Sequence, residues 1–357
     1  MFQAIRAFVY RYERYVGATV FLGGFILDVL TLHFLTLSQI ATLLGSYIGA
    51  TAAAILIGHA LIGERPEAGK IVSFGATLFP LIAQFFIGGA LSGLVIMYSS
   101  SASFVASWPF IILLIGVFIS TEAFSKYRSR LVFQSVLLFF TTYAYIIFTL
   151  PILLGAINRL VFILSSVLSV LLLFGFLALI RLVGKERVQG RPRAIMLWSF
   201  GIVVVLQLGY FFGIIPPLPL SLSDKGIYHA IERRGTEYAL TGEPRPLVPF
   251  LTPTIHYSAS TPLYAFSAVF APARFSTHIL HKWQRFDEAS GSWVTKSEVE
   301  LPVTGGRDGG YRTYSTSTTA REGRWRVAVT TPEGQVIGYI PFTIEPGLPE
   351  EVLTEVR

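Results

Sequence analysis

Cysteine is absent from the chain of 357 residues. This absence excludes a thiol nucleophile, a cysteine-ligated zinc site, an iron–sulfur cluster and any disulfide. The best-known catalytic signatures are missing as well, because the sequence contains no G-x-S-x-G elbow, no H-E-x-x-H pair and no Walker loop. The residues therefore offer no argument for an enzyme, and we expect no cofactor.

Charged residues are also scarce, at 14% of the chain against 53% hydrophobic residues. The net charge of +7 is carried by the first part, where residues 1–220 hold 14 Lys or Arg against 6 Asp or Glu. Residues 221–357 are nearly neutral, with 14 basic against 15 acidic residues. The basic charge thus accompanies the apolar half of the chain, which indicates membrane topology and argues against a nucleic-acid partner.

Seven apolar segments are long enough to cross a bilayer, which takes roughly 17 to 25 residues. The third contains Pro80, and the last is closed by Pro216, Pro217 and Pro219. We expect a seven-helix bundle, residues 16–220, after a cytoplasmic N-terminus, residues 1–15. The expected spans cover residues 16–35, 39–63, 71–98, 104–124, 131–157, 160–183 and 194–220.

The orientation of these spans follows from the loops between them, because cytoplasmic loops retain Lys and Arg. One side of the predicted bundle carries 13 basic residues, and the other carries Arg159 alone. This bias predicts a cytoplasmic N-terminus and, with seven spans, a C-terminal domain outside the bacterial inner membrane.

Beyond the last span the pattern of apolar residues changes to the two-residue period of β-strands. We predict a juxtamembrane linker (221–253) with a short helix near 224–233, an immunoglobulin-like antiparallel sandwich (254–345) and a frayed acidic tail (346–357). The predicted strands cover residues 264–270, 275–286, 293–301, 311–317, 325–331 and 336–344.

Asp28 is an ionisable residue near the middle of the otherwise apolar first span. Inserting such a group into a membrane costs at least about 2.5 kcal/mol of free energy, so the group needs a polar partner or water. Tyr47, Gln84 and Gln207 fall at similar depths in other spans. Two interpretations stay open: Asp28 is a relay or ligand-recognition group, or it is a buried carboxyl that holds helices together.

A glycine-rich stretch at residues 305–312 holds the other candidate binding residues: Arg307, Asp308, Tyr311 and Arg312. Glycines let a ligand approach the backbone, and arginine can grip a carboxylate or phosphate. The alternative is a hairpin turn with surface charges, since no strand–loop–helix context surrounds the stretch.

Two histidines in one predicted strand, His278 and His281, lie three residues apart. Residues at that spacing point to opposite faces of a strand, so we predict no metal site there. Nearby, Trp325 is predicted to enter the sandwich core while Arg324 and Arg326 face water.

Small residues recur in the second and third spans, and Gly89 and Gly93 are one such pair. They allow helices to approach closely, either inside one bundle or across a homo-oligomer seam.

Two motifs, G-G-R-D-G-G-Y-R at residues 305–312 and G-R-W-R-V at residues 323–327, resemble those of uncharacterised bacterial multi-pass inner-membrane proteins with a C-terminal domain of unknown function. The stretch Gly23-Gly24-Phe25 leading to Asp28 is similar as well. The resemblance implies an inner-membrane protein with an exported β domain, and it supplies no activity.

Together these features favour a non-enzymatic envelope protein whose exported domain binds a glycan, a peptide or another envelope protein. The alternative is a transporter or an intramembrane lipid-modifying enzyme that uses Asp28. A water-accessible cavity at Asp28 would favour the alternative.

Overall fold

The computed structural model describes residues 23–32, 34–63, 70–101, 104–123, 130–183, 192–216, 220–235, 237–244, 252–257, 262–271, 276–305, 310–349 and 352–357. The chain divides into two compact units. The first is helical and ends at Phe212, and the second consists mainly of Gly213–Arg357.

The described residues of the first unit form seven helices, and five of these are long and apolar enough to cross a membrane. The described apolar stretches of α1 and α4 are shorter, at Gly23–Leu32 and Ser107–Thr121. The helices are α1 (Gly23–Leu32), α2 (Leu37–Gly63), α3 (Lys70–Ser101), α4 (Phe104–Ala123), α5 (Leu131–Leu154), α6 (Arg159–Val183) and α7 (Pro192–Phe211).

Helix α5 is the most buried of the five long apolar helices, and its tyrosines bind neighbouring helices. The Tyr145 hydroxyl donates to the carbonyl of Ala41 on α2 at 2.9 Å. The Tyr143 hydroxyl lies 2.6 Å from the Ser166 hydroxyl on α6. Because an apolar surrounding offers no water to hydroxyl groups, such bonds between helices satisfy them.

Glycines bring α2 and α3 together inside this unit. A methyl group added at Gly89 would come within 2.9 Å of the Tyr47 ring, so the ring packs directly on the α3 backbone. A methyl group added at Gly49 on α2, in contrast, would have no neighbouring atom within 4 Å. The expectation of close packing within the bundle therefore holds at Gly89.

The second unit contains eleven strands among its described residues. They are β1 (Ser221–Tyr228), β2 (Ala230–Arg234), β3 (Glu237–Gly242), β4 (Thr254–Tyr257), β5 (Leu263–Phe270), β6 (Ser276–Asp287), β7 (Ser292–Thr304), β8 (Tyr311–Ser317), β9 (Gly323–Thr330), β10 (Val336–Pro346) and β11 (Leu353–Val356). They form a large sheet ordered β4-β10-β9-β6-β7, a central sheet ordered β1-β5-β8 and a small sheet ordered β11-β3-β2.

The central sheet is covered on both faces. From β5, Leu263 and Val269 enter a core shared with the large sheet, while Phe266 enters a second core shared with the small sheet. Successive strand residues point to opposite faces, so an apolar strand such as β5 can serve two cores. Trp283 and Trp325 are the largest buried side chains of the shared core.

Two regions differ from the sequence-based expectation. Residues 224–233, where a short helix was predicted, belong to β1 and β2. The tail was predicted to be frayed, but it contributes β11, which pairs with β3. In addition, β4 pairs with β10 in parallel, whereas the sequence suggested antiparallel strands throughout.

Candidate functional site

Asp28 lies half-buried on α1 and faces two other helices. The Ser92 hydroxyl on α3 lies beside its carboxylate, and the Tyr47 phenol on α2 lies within range of its charge. The Ser92 hydroxyl has no hydrogen-bond partner within 3.5 Å among the described residues, so the contact with Asp28 is a loose one. The structure therefore brings together Asp28 and Tyr47 from the predicted intramembrane set.

Gln84 belongs to a different polar group. Its amide nitrogen donates to the Thr121 carbonyl on α4 at 2.8 Å. It also lines a cavity of about 20 Å³ with Thr51 and Gln134, and Gln134 is bonded to His59 at 2.9 Å. A cavity of this size holds about one water molecule. Asp28 is not among the residues that line it.

Gln207 belongs to a third polar group, at the contact of α5, α6 and α7. Its amide nitrogen donates to the Ser166 hydroxyl, which also bonds to Tyr143. Helix depth alone suggested that Gln207 and Asp28 could meet, but the Gln207 amide is bonded to Ser166 on α6.

The glycine-rich stretch is only partly described, and Arg307 and Asp308 lie outside the described residues. Tyr311 and Arg312 are the first two residues of β8 and therefore point to opposite faces of the central sheet. Tyr311 packs against the core shared with the large sheet. A ligand on one face of the sheet would thus meet only one of these two side chains.

His281 lies in a buried polar network between the central and large sheets. Its Nε2 is 2.9 Å from the Ser267 hydroxyl and its Nδ1 is 2.9 Å from the Ser315 hydroxyl. The Trp283 indole also donates to Ser315 at 3.0 Å. Burial lowers the pKa of His281 from 6.5 to about 4, which keeps the imidazole neutral.

A serine beside a histidine is the arrangement of a nucleophile and its base. Here, however, Ser267 and His281 are both 0% exposed, so no substrate reaches them. His278 is exposed on the opposite face of the same strand, as its spacing from His281 predicted. Among the described residues, no group of three His, Cys, Asp or Glu side chains is arranged to hold a metal ion.

Glu243, which follows β3, joins two histidines. Its carboxylate lies 3.0 Å from His229 Nε2 and 2.7 Å from His256 Nδ1. It also accepts the backbone N–H of His256 at 2.6 Å, so it ties the edge of β4 to the end of β3. All of these contacts serve to fasten strands.

The outward face of the large sheet, opposite the shared core, carries a row of aromatic and basic side chains. We call it the arginine–aromatic row, and it consists of Tyr339, Arg326, Trp293, Phe286 and Arg324. The Arg326 guanidinium lies 4.4 Å from the centroid of the Tyr339 ring and 4.3 Å from that of Trp293. Trp293 meets Phe286 edge to face at 5.2 Å, and Arg324 lies 4.0 Å above Phe286.

The two arginines of the row differ in their electrostatic partners. Arg324 donates three hydrogen bonds of 2.9 to 3.1 Å to the carboxylate of Glu288. Arg326 donates through Nε to the Gln284 amide oxygen at 2.8 Å, and no acidic side chain of the described residues pairs with it. Burial lowers the pKa of Arg326, because desolvation disfavours its cation.

The sequence patterns do not predict this row, although they place Trp325 in the core and the flanking arginines outside. Trp325 is 2% exposed, which confirms the first expectation. Arg326 faces outward as expected, but its guanidinium is half-buried between rings. The available signal was the occurrence of Trp293 and Tyr339 in the predicted strands 293–301 and 336–344.

Residues 276–344 match a family model described as "Protein of unknown function (DUF2914)". This range holds the whole arginine–aromatic row, and it is consistent with the expected C-terminal domain of unknown function. Among curated proteins, none matches the chain.

A solved structure, "Pseudomonas fluorescens alkylpurine DNA glycosylase AlkC bound to DNA containing an abasic site analog", is similar over 87% of this chain and 96% of that chain. The identity is 12% and the TM-score is 0.19. A score this low carries no argument about fold or function.

Proposed function

We propose that the protein is a membrane-anchored binding protein of the bacterial envelope. In this proposal a bundle of seven spans, with a cytoplasmic N-terminus, holds an immunoglobulin-like β domain outside the inner membrane. The domain binds another envelope component, either a protein or a glycan. Five helices of sufficient length and apolarity, and a β unit with its own buried cores, support this arrangement.

The arginine–aromatic row is the observation that carries the binding role. Aromatic residues and arginine are enriched in the energetically important centres of binding surfaces. Arginine side chains held by stacking also lose less conformational freedom when they bind a partner. The row therefore forms a preordered surface on the outward face of the large sheet.

The transporter or lipid-enzyme alternative receives less support. It requires a path for a solute or lipid to Asp28, whereas Asp28 does not line the water-sized cavity that Gln84 and Gln134 line. Gln84 and Gln207, which were expected as partners of Asp28, are bonded in two other polar groups.

Membrane orientation can be tested directly because the chain has no cysteine. A single Ser290→Cys variant places a thiol on an exposed turn of the β unit, and Lys185→Cys places one in a predicted cytoplasmic loop. We expect a membrane-impermeant maleimide to label Ser290→Cys in spheroplasts and to label Lys185→Cys only after lysis. The reverse pattern would contradict the proposed orientation.

Binding can be tested by photocrosslinking in intact cells. Pro341 is exposed and lies opposite Arg326 in the strand register, so a benzoylphenylalanine there reports on the row. Glu232, exposed on β2 of the small sheet, is the matched control position. We expect a discrete adduct from position 341 alone, and equal adducts from both positions, or none, would count against the row as the binding surface.

A further inference from the structure

We propose that Arg326 binds a side-chain carboxylate of an acidic protein segment at the outward face of the large sheet. This inference rests on the proposed binding function, and it names the chemistry of the ligand. It is carried by the way in which the Arg326 guanidinium is fixed and by the absence of an anion beside it among the described residues.

The guanidinium of Arg326 is held on three sides. The rings of Trp293 and Tyr339 flank it at 4.3 and 4.4 Å, and its Nε is bonded to Gln284 at 2.8 Å. These contacts fix the guanidinium beside two aromatic rings and engage its Nε. The two terminal nitrogens remain, and among the described residues they have no acceptor. A planar carboxylate fits such a pair of nitrogens with two parallel hydrogen bonds.

Arg324 provides a comparison within the same row. It also stacks on an aromatic ring, but its charge is balanced by the Glu288 carboxylate. The bonded pair shows the geometry that a carboxylate adopts on an arginine of this surface. Arg326, which is the more buried of the two, lacks the equivalent partner among the described residues. A half-buried cation without a counter-charge is the position at which an incoming anion gains most.

The surroundings favour a carboxylate over a phosphate. Two other basic side chains of this face are paired, Lys282 with Glu298 and Arg324 with Glu288. The two terminal nitrogens of one guanidinium match a singly charged carboxylate, whereas a phosphate is bound best by several cationic groups.

The same surroundings favour a protein segment over a sugar. Sugars stack on the open faces of aromatic rings, and in this row the guanidinium of Arg326 already covers one face of Trp293 and one face of Tyr339. An Asp or Glu side chain needs only the edge of the guanidinium. We therefore infer an acidic segment of a partner protein as the ligand.

The test uses the full chain in detergent and two labelled probes, a pentaglutamate peptide and a pentaglutamine peptide of the same length. We expect fluorescence anisotropy to show binding of pentaglutamate alone, with an affinity that falls as salt is raised. Arg326→Gln should weaken the binding at least about tenfold, since a charge-assisted bidentate contact is lost. Arg326→Lys should weaken it less, because it keeps the charge and loses the fork.

Lys282→Gln is the matched control and should leave the affinity within about twofold, because Lys282 lies outside the arginine–aromatic row and is already paired with Glu298. A second measurement uses the unmodified chain alone, so its result does not depend on the folding of any variant. Bound pentaglutamate should protect Arg326 from reaction with phenylglyoxal, and mass spectrometry measures the modification of Arg324 and Arg326.

Failure of pentaglutamate to bind the unmodified chain, or an equal loss in Lys282→Gln, would overturn the inference. A discrete crosslink from position 341 in that case would leave the proposed binding function standing. Tighter, Arg326-dependent binding of oligogalacturonate would instead assign the site to an acidic glycan and refute the choice of a protein ligand.

Discussion

Acidification should destabilise the β unit through His281, and this prediction tests the buried network of its core. The imidazole is 0% exposed and lies between the hydroxyls of Ser267 and Ser315. A neutral imidazole offers one N–H and one lone pair, which two hydroxyls can satisfy. Its protonated form would place an unbalanced charge in the core, and for this reason burial lowers the pKa of His281 to about 4.

The sign follows from the lowered pKa. Between about pH 6.5 and pH 4 the unfolded chain binds a proton at this position and the folded chain does not. Stability is therefore complete above about pH 6.5 and is lost as the pH falls toward 4. A pKa of about 4 in the folded chain against 6.5 in the unfolded chain lowers the free energy of unfolding by roughly 3 kcal/mol at pH 4. About 2 kcal/mol of this loss in the free energy of unfolding is expected between pH 7 and pH 5.

Urea unfolding of the detergent-solubilised chain at a series of pH values measures this loss. Trp108→Phe and Trp198→Phe remove the tryptophans of the helical unit, so the remaining emission reports on the β unit. His281→Gln removes the titrating group but keeps a donor and an acceptor. His278→Gln, in the same strand and exposed on the opposite face, is the control.

The unmodified chain and His278→Gln should share the same decline in stability below pH 6.5, and His281→Gln should show a flatter curve. If the stability of the unmodified chain and of both variants declined in parallel, another group would be responsible and the burial argument for His281 would be wrong. A rise in the stability of the unmodified chain on acidification would also refute it.

Three further substitutions probe the packing of the two units. Gly89→Val should lower the stability of the helical unit by about 1–3 kcal/mol, because the new side chain meets the ring of Tyr47. Gly49→Val, whose side chain enters open space, should lower it less, and thermal unfolding in detergent compares the two variants. Glu243→Gln should lower the stability of the β unit by about 1–3 kcal/mol, because one of two imidazoles loses a charged acceptor. Equal stability of this variant and the unmodified chain in urea unfolding would contradict the strand-fastening role. Trp325→Ala should cost about 3–5 kcal/mol in the same assay, because it empties the shared core.

Much of the fold could be predicted from local patterns. The helix predicted at residues 39–63 is observed at Leu37–Gly63, and the strand predicted at residues 311–317 is observed at Tyr311–Ser317. The strand β1 escaped prediction because its register shifts between Leu222 and Asp224. Such a shift breaks the two-residue period on which the recognition of a strand from sequence depends.

The candidate site was far less predictable, and the reason is the order of the strands. Arg326, Trp293 and Tyr339 lie on β9, β7 and β10, and the long Arg326 side chain reaches Trp293 across β6, which lies between β9 and β7. Local sequence specifies that these residues face outward, but it does not specify which strands are neighbours. Outward-facing aromatic residues in strands are nevertheless visible in a sequence. Because an aromatic ring gains little from facing water, their recurrence at outward positions indicates a surface built for stacking or binding.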